Sequence, residues 1–436
     1  MRYHLVTLGC PKNAVDSEHL VRLLSQARHE AAADAAAADV LVVNTCGFID
    51  ASIKESTDAV KELARGKRHG QKLIVAGCMT QLYGPKLEAE VPQVDAVFGV
   101  NQWERIAEML GPAEGETIDI PDTSRLSSRP SAYLKISDGC DRPCTFCIIP
   151  TIKGRMTSAP ADDLVARART FAAEGVRELV LVAQDSTDYG HDLGASDGLA
   201  DLLLRLAEEV PELPWLRVMY AYPGAVTRRL ARVMASLPQV CNYIDVPLQH
   251  GSPEVLRRMK RPSNPTTVRA MIELLRSEMP DLAVRTTFIV GSPGETEAEF
   301  EELLAFAEEM QFDRVGVFTY SPQAGTPAAA MPGQLPEKVK RRRYRELMEL
   351  QQGISYRKNQ DQIGRVLSVL VESEPGQEDG QWPIFVGRTY RDAPEVDGMV
   401  ICRGSAEPGE LAPVTITGAG PYDLFGASPQ EIAVVG

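Results

Sequence analysis

The order of apolar and polar positions divides the chain into three regions. In the first, short apolar runs alternate with stretches of helical period. The runs lie at 3–8, 40–44, 72–76 and 94–98, and the helical stretches near 16–27, 50–64 and 84–90. Strands that alternate with helices are typical of a parallel sheet with crossover helices. The pattern therefore predicts an N-terminal parallel α/β domain over residues 1–112.

Six further apolar runs follow, each separated from the next by a helical stretch. They lie at 132–137, 178–184, 215–221, 243–248, 284–290 and 314–320. Repeated strand–helix units of this length predict a partial, TIM-like (β/α) barrel over residues 132–355, with its chemistry in the loops after the strands. The polar segment 113–131 between the two regions contains Gly and Pro and has no apolar period, so it is predicted to be a linker.

Beyond a charged helical run at 337–352, the helical period is lost and short strand-like pieces appear between Gly and Pro residues. They lie at 365–371, 383–390, 398–402 and 412–417. Short strands with frequent turns predict a small antiparallel β-barrel over residues 358–427. The predicted fold class is therefore α/β, with a small all-β domain at the C-terminal end.

Composition and charge narrow the possible partners. The chain has 436 residues, of which 44% are hydrophobic, and a formal net charge of −14. It contains no apolar run near the ~20 residues of a membrane span and no visible export signal, so we expect a cytoplasmic protein without a membrane partner. Eight cysteines in a reducing compartment are expected to be free, metal-bound or catalytic. The negative charge disfavours nucleic acid as the main partner and favours a basic protein.

Three cysteines lie close together after the first strand of the central region. Cys140, Cys144 and Cys147 occur in Asp-Gly-Cys-Asp-Arg-Pro-Cys-Thr-Phe-Cys, with no fourth Cys or His nearby to complete a structural zinc site. Three thiolates in one loop can bind one metal centre, and a four-iron cluster with three protein ligands leaves one iron open to an exogenous ligand. The loop therefore predicts an iron-sulfur cluster.

A second set of three cysteines is spread along the first region. Cys10, Cys46 and Cys78 each follow a predicted strand. Taken singly, each would be a buried core cysteine, because free Cys is among the most buried residue types. However, the carboxyl ends of parallel strands share one edge of a sheet, where ligands bind. Their common placement predicts a second cluster with three protein ligands and an open iron.

The C-x-x-x-C-x-x-C spacing, with Phe146 before the last cysteine, resembles the radical S-adenosylmethionine superfamily. With Cys10, Cys46 and Cys78 ahead of it and a small β-domain behind it, the whole chain resembles the methylthiotransferase family of these enzymes. Three segments are similar to the branch that modifies ribosomal protein uS12: residues 9–18, 219–223 and 387–394. The resemblance implies a methylthiotransferase domain, a radical S-adenosylmethionine barrel and a C-terminal TRAM domain.

The charge of the C-terminal region agrees with that branch. From residue 362 onward the chain has 4 basic and 11 acidic residues, or 4 − 11 = −7. A domain that binds transfer RNA should be basic, whereas an acidic one suits a strongly basic ribosomal protein. The partner implied is uS12, either free or within the small ribosomal subunit, together with a flavoprotein or ferredoxin as electron donor.

The resemblance also implies the chemistry, in which an aspartate of uS12 becomes 3-methylthioaspartate. The cofactors are S-adenosylmethionine and two [4Fe-4S] clusters, an auxiliary one on Cys10, Cys46 and Cys78 and a radical-forming one on Cys140, Cys144 and Cys147. One S-adenosylmethionine methylates a sulfur at the auxiliary cluster. A second is reduced to a 5′-deoxyadenosyl radical, which takes a hydrogen from the aspartate β-carbon. The protein's task is to position and insulate this cofactor chemistry.

Residues beyond the cysteines are less well marked by the sequence. Those predicted to contact S-adenosylmethionine are Phe146, Gln184, Asp185, Gly291, Gly294 and Glu295. No residue is assigned a catalytic role. The Gly291 loop also fits an ordinary turn before a helix, because Thr296 and Glu299 have capping-box spacing. Two other functions remain open: a transfer-RNA methylthiotransferase acting on isopentenyl-adenosine, and a ribosome-associated iron-sulfur protein that senses oxidation.

Overall fold

The structure is a computed structural model and describes residues 1–112, 129–373, 376–378 and 382–429. Its first region is a five-stranded, fully parallel sheet with strand order β2-β1-β3-β4-β5. The four predicted strands are confirmed, and the sequence pattern missed the short β2 and helix α4. The elements are β1 (Arg2–Thr7), α1 (Pro11–Gln26), β2 (Glu30–Ala31), β3 (Val40–Thr45), α2 (Asp50–Gly66), β4 (Lys72–Gly77), α3 (Cys78–Glu90), β5 (Ala96–Val97) and α4 (Trp103–Leu110).

The central region is a second parallel sheet of six strands, in the order β13-β12-β11-β10-β9-β6. All six predicted strands are confirmed. The elements are β6 (Ser131–Lys135), β7 (Ser137–Asp138), α5 (Ile149–Lys153), β8 (Thr157–Ser158), α6 (Ala161–Ala173), β9 (Glu178–Val182), α7 (Gly198–Glu209), β10 (Trp215–Val218), α8 (Arg228–Ser236), β11 (Val240–Asp245), α9 (Pro253–Arg258), α10 (Pro265–Glu278), β12 (Ala283–Val290), α11 (Glu297–Met310), β13 (Arg314–Thr319) and α12 (Glu337–Gln360). Most of the predicted linker, residues 113–128, lies outside the described residues.

Both faces of the sheet in this partial barrel are buried. One face packs against the surrounding helices through a large apolar core that includes Leu179, Leu216 and Phe288. The opposite face forms a smaller core with Val180, Trp215 and other apolar residues. Strands covered on both sides read as continuous apolar runs, which is why the sequence pattern located them well.

The C-terminal region is a small barrel that closes because β14 pairs with both β16 and β18. Its strands are β14 (Val366–Val371), β15 (Gly376–Glu378), β16 (Trp382–Arg388), β17 (Val400–Arg403), β18 (Leu411–Ala419) and β19 (Leu424–Ala427). The prediction of a purely antiparallel barrel was wrong at one pair, since β17 and β19 run parallel. The sequence pattern missed β15 and β19. Helix α12 continues to Gln360 and so spans the predicted boundary between the second and third domains.

The loop between β16 and β17 closes the amino-terminal end of the central barrel. We call residues 389–397 the base plug. Arg217 on β10 is fully buried and donates to the carbonyl of Tyr390 at 2.7 Å, while the hydroxyl of Tyr243 donates to Asp397 at 2.8 Å. Ala393 packs into the apolar core inside the barrel. The third domain therefore seals one end of the barrel and leaves the other end for chemistry.

Buried ion pairs fix this junction. Arg314 at the start of β13 contacts Asp392 of the base plug at 2.6 Å, and Arg391 contacts Asp313 at 2.6 Å. Glu178 binds both Arg217 and Arg388. Burial alone would raise the pKa of Glu178, but the two guanidinium groups lower it to about 2. A carboxylate held between two buried arginines stays ionised and ties the two domains together.

These contacts bear on the charge of the third domain. Two of its four arginines, Arg388 and Arg391, are buried at the junction, and so are the side chains of Asp392 and Asp397. Removing two basic and two acidic residues leaves (4 − 2) − (11 − 2) = −7, so the acidic excess is unchanged. The helices in the described ranges include none with the extended apolar stretch that a membrane span requires.

Candidate functional site

Cys10, Cys46 and Cys78 lie at the carboxyl ends of β1, β3 and β4, which are neighbours in the sheet. The loop before Cys10 passes directly against Cys46, because a Cβ on Gly9 would lie 2.9 Å from the Cys46 Sγ. Gly9 also has φ of +97°, a conformation that favours glycine. The three thiols predicted from separate strands are thus brought to one edge.

Asn13 joins the three loops that carry these cysteines, and the sequence analysis missed it. Its side-chain amide donates to the carbonyls of Leu8 at 2.9 Å and Thr45 at 3.2 Å, and its Oδ1 lies 3.6 Å from the Sγ of Cys78. The residue is buried on the first turn of α1. Its position three residues after Cys10, on the same helix face, is the signal that could have found it.

Cys140, Cys144 and Cys147 lie in the loop between β7 and α5, and each Sγ accepts an N–H. Backbone N–H groups donate to Cys140 from Arg142 at 3.5 Å and to Cys147 from Ile149 at 3.4 Å. The guanidinium of Arg261 donates to Cys144 at 3.6 Å. Hydrogen bonds to cluster thiolates stabilise their negative charge and tune the cluster potential.

The donor set fits iron-sulfur clusters. All six thiols are free of disulfides. Burial raises the pKa of Cys78 and of Cys147 to about 12, so in the absence of a metal these thiols would stay protonated at neutral pH. Coordination to iron must release their protons. No three His, Cys, Asp or Glu side chains of the described ranges lie close enough to bind a single ion. A four-iron cluster differs because each thiolate binds a different iron.

A group of two aspartates and two lysines, two of them buried and two half-buried, links the helix that follows Cys10 to the loop of Cys140. Lys153 contacts Asp16 of α1 at 2.9 Å and Asp138 of β7 at 3.0 Å, and Lys135 contacts the same two carboxylates. Burial alone would raise the pKa of Asp138, but the lysines hold it well below its usual range. We call these four residues the bridging charge cluster. It joins the first domain to the cysteine loop of the second.

Three of the predicted cofactor contacts surround the cysteine loop. Phe146 is partly buried within it. Gln184 follows β9 and donates to Asp138 at 2.7 Å, and its own Oε1 is buried without a hydrogen-bond partner in the described ranges. Asp185 is buried and binds Arg142 at 2.7 Å. Gln184 thus offers a free acceptor at the carboxyl end of the barrel, whereas Asp185 already has a cation.

The other three predicted contacts form the loop after β12. Gly291 and Gly294 have φ of +80° and +72°. Glu295 is buried, and its carboxylate accepts from the backbone N–H of Gly291 at 2.7 Å and of Ser292 at 2.9 Å and contacts Arg343 at 2.7 Å. Glu295 therefore holds the loop in shape with its own oxygens. The Thr296–Glu299 capping box is confirmed. That these six residues contact S-adenosylmethionine stays a prediction.

Two arginines and one tyrosine complete the barrel mouth. The guanidinium carbons of Arg142 and Arg261 each lie 4.3 Å from the ring centre of Tyr222. Arg142 is paired with Asp185 and Asp188. This stack holds the cysteine loop against the loops after β9 and β10. Arg142 and Tyr222 lie in segments that the sequence marked for other reasons, but the stack itself was not predicted, because a spacing of 80 and 39 positions gives no local signal.

Three family models match the chain. The Radical SAM superfamily matches residues 134–307, the family described as Uncharacterized protein family UPF0004 matches residues 2–99, and the TRAM domain matches residues 363–428. A solved structure of similar fold is the radical S-adenosylmethionine methyltransferase TsrM from Kitasatospora setae with cobalamin and a [4Fe-4S] cluster bound. It has a TM-score of 0.56 and 14% identity and covers 75% of this chain and 77% of that one. This likeness shows the fold alone.

Curated relatives match over nearly the whole length. The chain is 49% identical to the ribosomal protein uS12 methylthiotransferase RimO of Chloroflexus aurantiacus, over 98% of this chain and 99% of the relative. It is 46% identical to the RimO protein of Anaeromyxobacter sp. strain K, over 98% and 92%. From this identity over full domains, the chain belongs to the RimO family of radical S-adenosylmethionine methylthiotransferases.

Proposed function

We propose that this chain is a methylthiotransferase that replaces one hydrogen on the β-carbon of an aspartate of ribosomal protein uS12 with a methylthio group. One observation carries the proposal. One cysteine triplet, Cys10/Cys46/Cys78, follows three strands of the first sheet, the other, Cys140/Cys144/Cys147, lies in one loop at the start of the second domain, and the bridging charge cluster joins the two regions. Two separate three-thiol sites fit a reaction that needs two different tasks.

The bound groups would supply the difficult chemistry, namely a methylated sulfur at the first triplet and a 5′-deoxyadenosyl radical at the second. The chain's own residues do the positioning. Asn13 fixes the loops of the first triplet, and Arg261 and two backbone N–H groups support the thiolates of the second. The base plug closes the far end of the barrel to water. Substrate would then enter at the carboxyl-terminal end of the barrel, where the loop of Cys140 lies.

The partners follow from the same reaction. The substrate is uS12, free or within the small ribosomal subunit, and a ribosomal protein places the reaction in the cytoplasm. The one-electron reduction needed to cleave S-adenosylmethionine requires a donor such as a flavoprotein or ferredoxin. The acidic third domain, at −7 by sequence, suits a basic substrate through electrostatic steering.

The proposal is tested with purified enzyme, reconstituted with iron and sulfide without oxygen, and supplied with S-adenosylmethionine, a reductant and purified uS12. We expect iron and sulfide for two four-iron clusters per chain, 5′-deoxyadenosine as a product, and uS12 heavier by one methylthio group in place of hydrogen. Failure to form 5′-deoxyadenosine would instead favour an oxidation sensor.

A parallel reaction with transfer RNA that contains isopentenyl-adenosine addresses the second candidate. The proposal predicts no change in this nucleoside. Methylthiolation of the nucleoside with unchanged uS12 would contradict the choice of substrate while leaving the radical chemistry intact.

A further inference from the structure

Lys12 extends from the first turn of α1 across the domain junction to the barrel mouth. Its Nζ lies 3.5 Å from the ring centre of Tyr220, which follows β10, and 3.4 Å from the carbonyl oxygen of Ala183, which follows β9. The side chain is partly buried at this junction. Its ammonium group therefore lies between the loop of Cys10 and the strand ends that face Cys140.

In the described part of the chain, Lys12 has no carboxylate within ion-pair distance. The two carboxylates whose charge reaches it, Asp245 and Asp138, have their own cations. Asp245 binds Arg285 at 2.9 Å, and Asp138 binds Lys135 and Lys153, each at 3.0 Å. An ammonium group has three N–H donors, and Lys12 uses one of them on Ala183. It is a cation with donors to spare.

The two arginines of the mouth, Arg142 and Arg261, lie on the side of the second triplet. Arg142 is paired with Asp185 and Asp188. Arg261 has no ion pair among the described residues, but it donates to the carbonyl of Pro247 and to Cys144. Among the described residues, Lys12 is thus a cation with unused donors on the side of the first triplet, whereas Arg261, whose buried Nε also has no partner there, lies beside Cys144.

The backbone beneath Lys12 is strained. Tyr220 has φ of +62°, a backbone region that is unfavourable for a bulky residue. The conformation is held by a hydrogen bond from its backbone N–H to Asp245 at 3.1 Å. It places the ring under the ammonium group at the end of β10. Strain that is retained at a barrel mouth points to a site shaped for a ligand.

We propose that Lys12 binds the side-chain carboxylate of the substrate aspartate and so holds its β-carbon between the two cysteine triplets. This inference rests on the proposed function and deepens it. A carboxylate entering this mouth loses water, and a charge-assisted hydrogen bond to a spare ammonium group compensates for that loss. An asparagine at the same position carries no charge and therefore gains little binding free energy from the ammonium group. Lys12 would therefore select a protein carboxylate over a neutral side chain or nucleobase.

The test compares wild type with Lys12→Gln and Lys12→Arg on two substrates, uS12 and a uS12 variant whose target aspartate is asparagine. Binding is measured without reductant, and kcat/KM with reductant. For Lys12→Gln we expect binding and kcat/KM toward aspartate to fall about 10- to 100-fold, as for loss of a charged hydrogen bond. The discrimination against asparagine should shrink by the same factor. Lys12→Arg should restore part of it.

Lys86→Gln is the matched control, because it removes one lysine charge from the surface of the same domain, where the side chain is 74% exposed. Its discrimination should equal that of wild type. Iron content verifies that both clusters assemble in every variant.

Three results would overturn the inference. The first is unchanged aspartate discrimination in Lys12→Gln. The second is a rise in KM for S-adenosylmethionine alone, which would assign Lys12 to the cofactor. The third is loss of cluster iron, which would make it a positioning residue for Cys10. If wild type itself leaves uS12 unmodified, the proposed function fails, and that result is distinct from these three.

Discussion

The two ends of the central barrel differ in how completely their polar side chains are paired. At the amino-terminal end, Glu178, Arg217 and Arg388 are buried and paired, and the base plug covers them. At the carboxyl-terminal end, Lys12 has no carboxylate partner among the described residues, and Gln184 keeps a buried oxygen unpaired. Both ends carry polar groups inside an apolar sheet.

The difference separates structure from chemistry. A buried ion pair that is complete on all sides holds two domains in one arrangement, and it has no capacity left for a ligand. Polar groups with unused donors or acceptors are costly to bury, and at the carboxyl-terminal end a ligand can complete them, although the base plug also holds one buried donor without a partner among the described residues, the Nε of Arg391. Mutations at the amino-terminal end of the barrel are therefore expected to lower stability. Mutations at the carboxyl-terminal end are expected to lower activity.

The largest effect is expected from the radical-forming triplet. Cys144→Ala removes one ligand and should abolish 5′-deoxyadenosine formation while global folding persists, because Cys144 is partly exposed. The matched control is Cys402→Ala, whose thiol packs in the core of the third domain. It should lower stability but retain product formation. Equal loss in both variants would remove the distinction between the two kinds of cysteine. Liquid chromatography of the reaction products measures the 5′-deoxyadenosine formed by each variant.

At the base, Glu178→Gln leaves Arg217 and Arg388 buried without their shared anion. We expect the free energy of unfolding to fall by about 3–5 kcal/mol, as when one partner of a buried pair is removed. Glu254→Gln breaks the exposed pair with Arg257 and should change stability by less than about 1 kcal/mol. Urea denaturation of the two variants and wild type gives the comparison. A small loss in Glu178→Gln would contradict the structural role of the base.

A mutation in the bridging charge cluster is expected to affect both stability and activity. Asp16→Asn removes one of two anions that balance Lys135 and Lys153. We expect a stability loss of about 2–3 kcal/mol together with reduced coupling of radical formation to methylthiolation, because the two triplets lose a link. The ratio of 5′-deoxyadenosine to modified uS12 measures the coupling. An unchanged ratio would limit the cluster to a stabilising role.

Lowering the pH should gradually reduce the stability that the Glu178 ion pairs give to the amino-terminal end of the barrel. The pKa of Glu178 is lowered to about 2 in the folded chain, against about 4.3 when unfolded. A lowered pKa stabilises the fold fully above the unfolded value and less as pH falls toward the folded value. The stability difference between wild type and Glu178→Gln should therefore be constant near neutral pH and shrink below about pH 4.3. A difference that grows in acid would have the wrong sign for this carboxylate.

The sequence predicted the strands of the two parallel sheets well for physical reasons. Buried parallel strands are continuous apolar runs, and Cys10, Cys46 and Cys78 each follow one of them, so their meeting follows from topology. It could not predict the base plug or the bridging charge cluster. Asp16 and Lys153 are 137 positions apart, and Arg217 and Tyr390 are 173 apart. Such contacts arise only when domains dock. Residues 387–394 marked a family resemblance, but their role in sealing the barrel was visible only in three dimensions.

The central claim is that the two triplets perform different tasks, with the methylated sulfur at the first and radical formation at the second. One reaction with Cys46→Ala tests this claim most directly. The variant lacks a ligand of the first triplet and keeps Cys140, Cys144 and Cys147. With S-adenosylmethionine, reductant and uS12, the account predicts that 5′-deoxyadenosine is still formed and that the mass of uS12 stays unchanged. A uS12 product carrying the methylthio group at wild-type yield would contradict it.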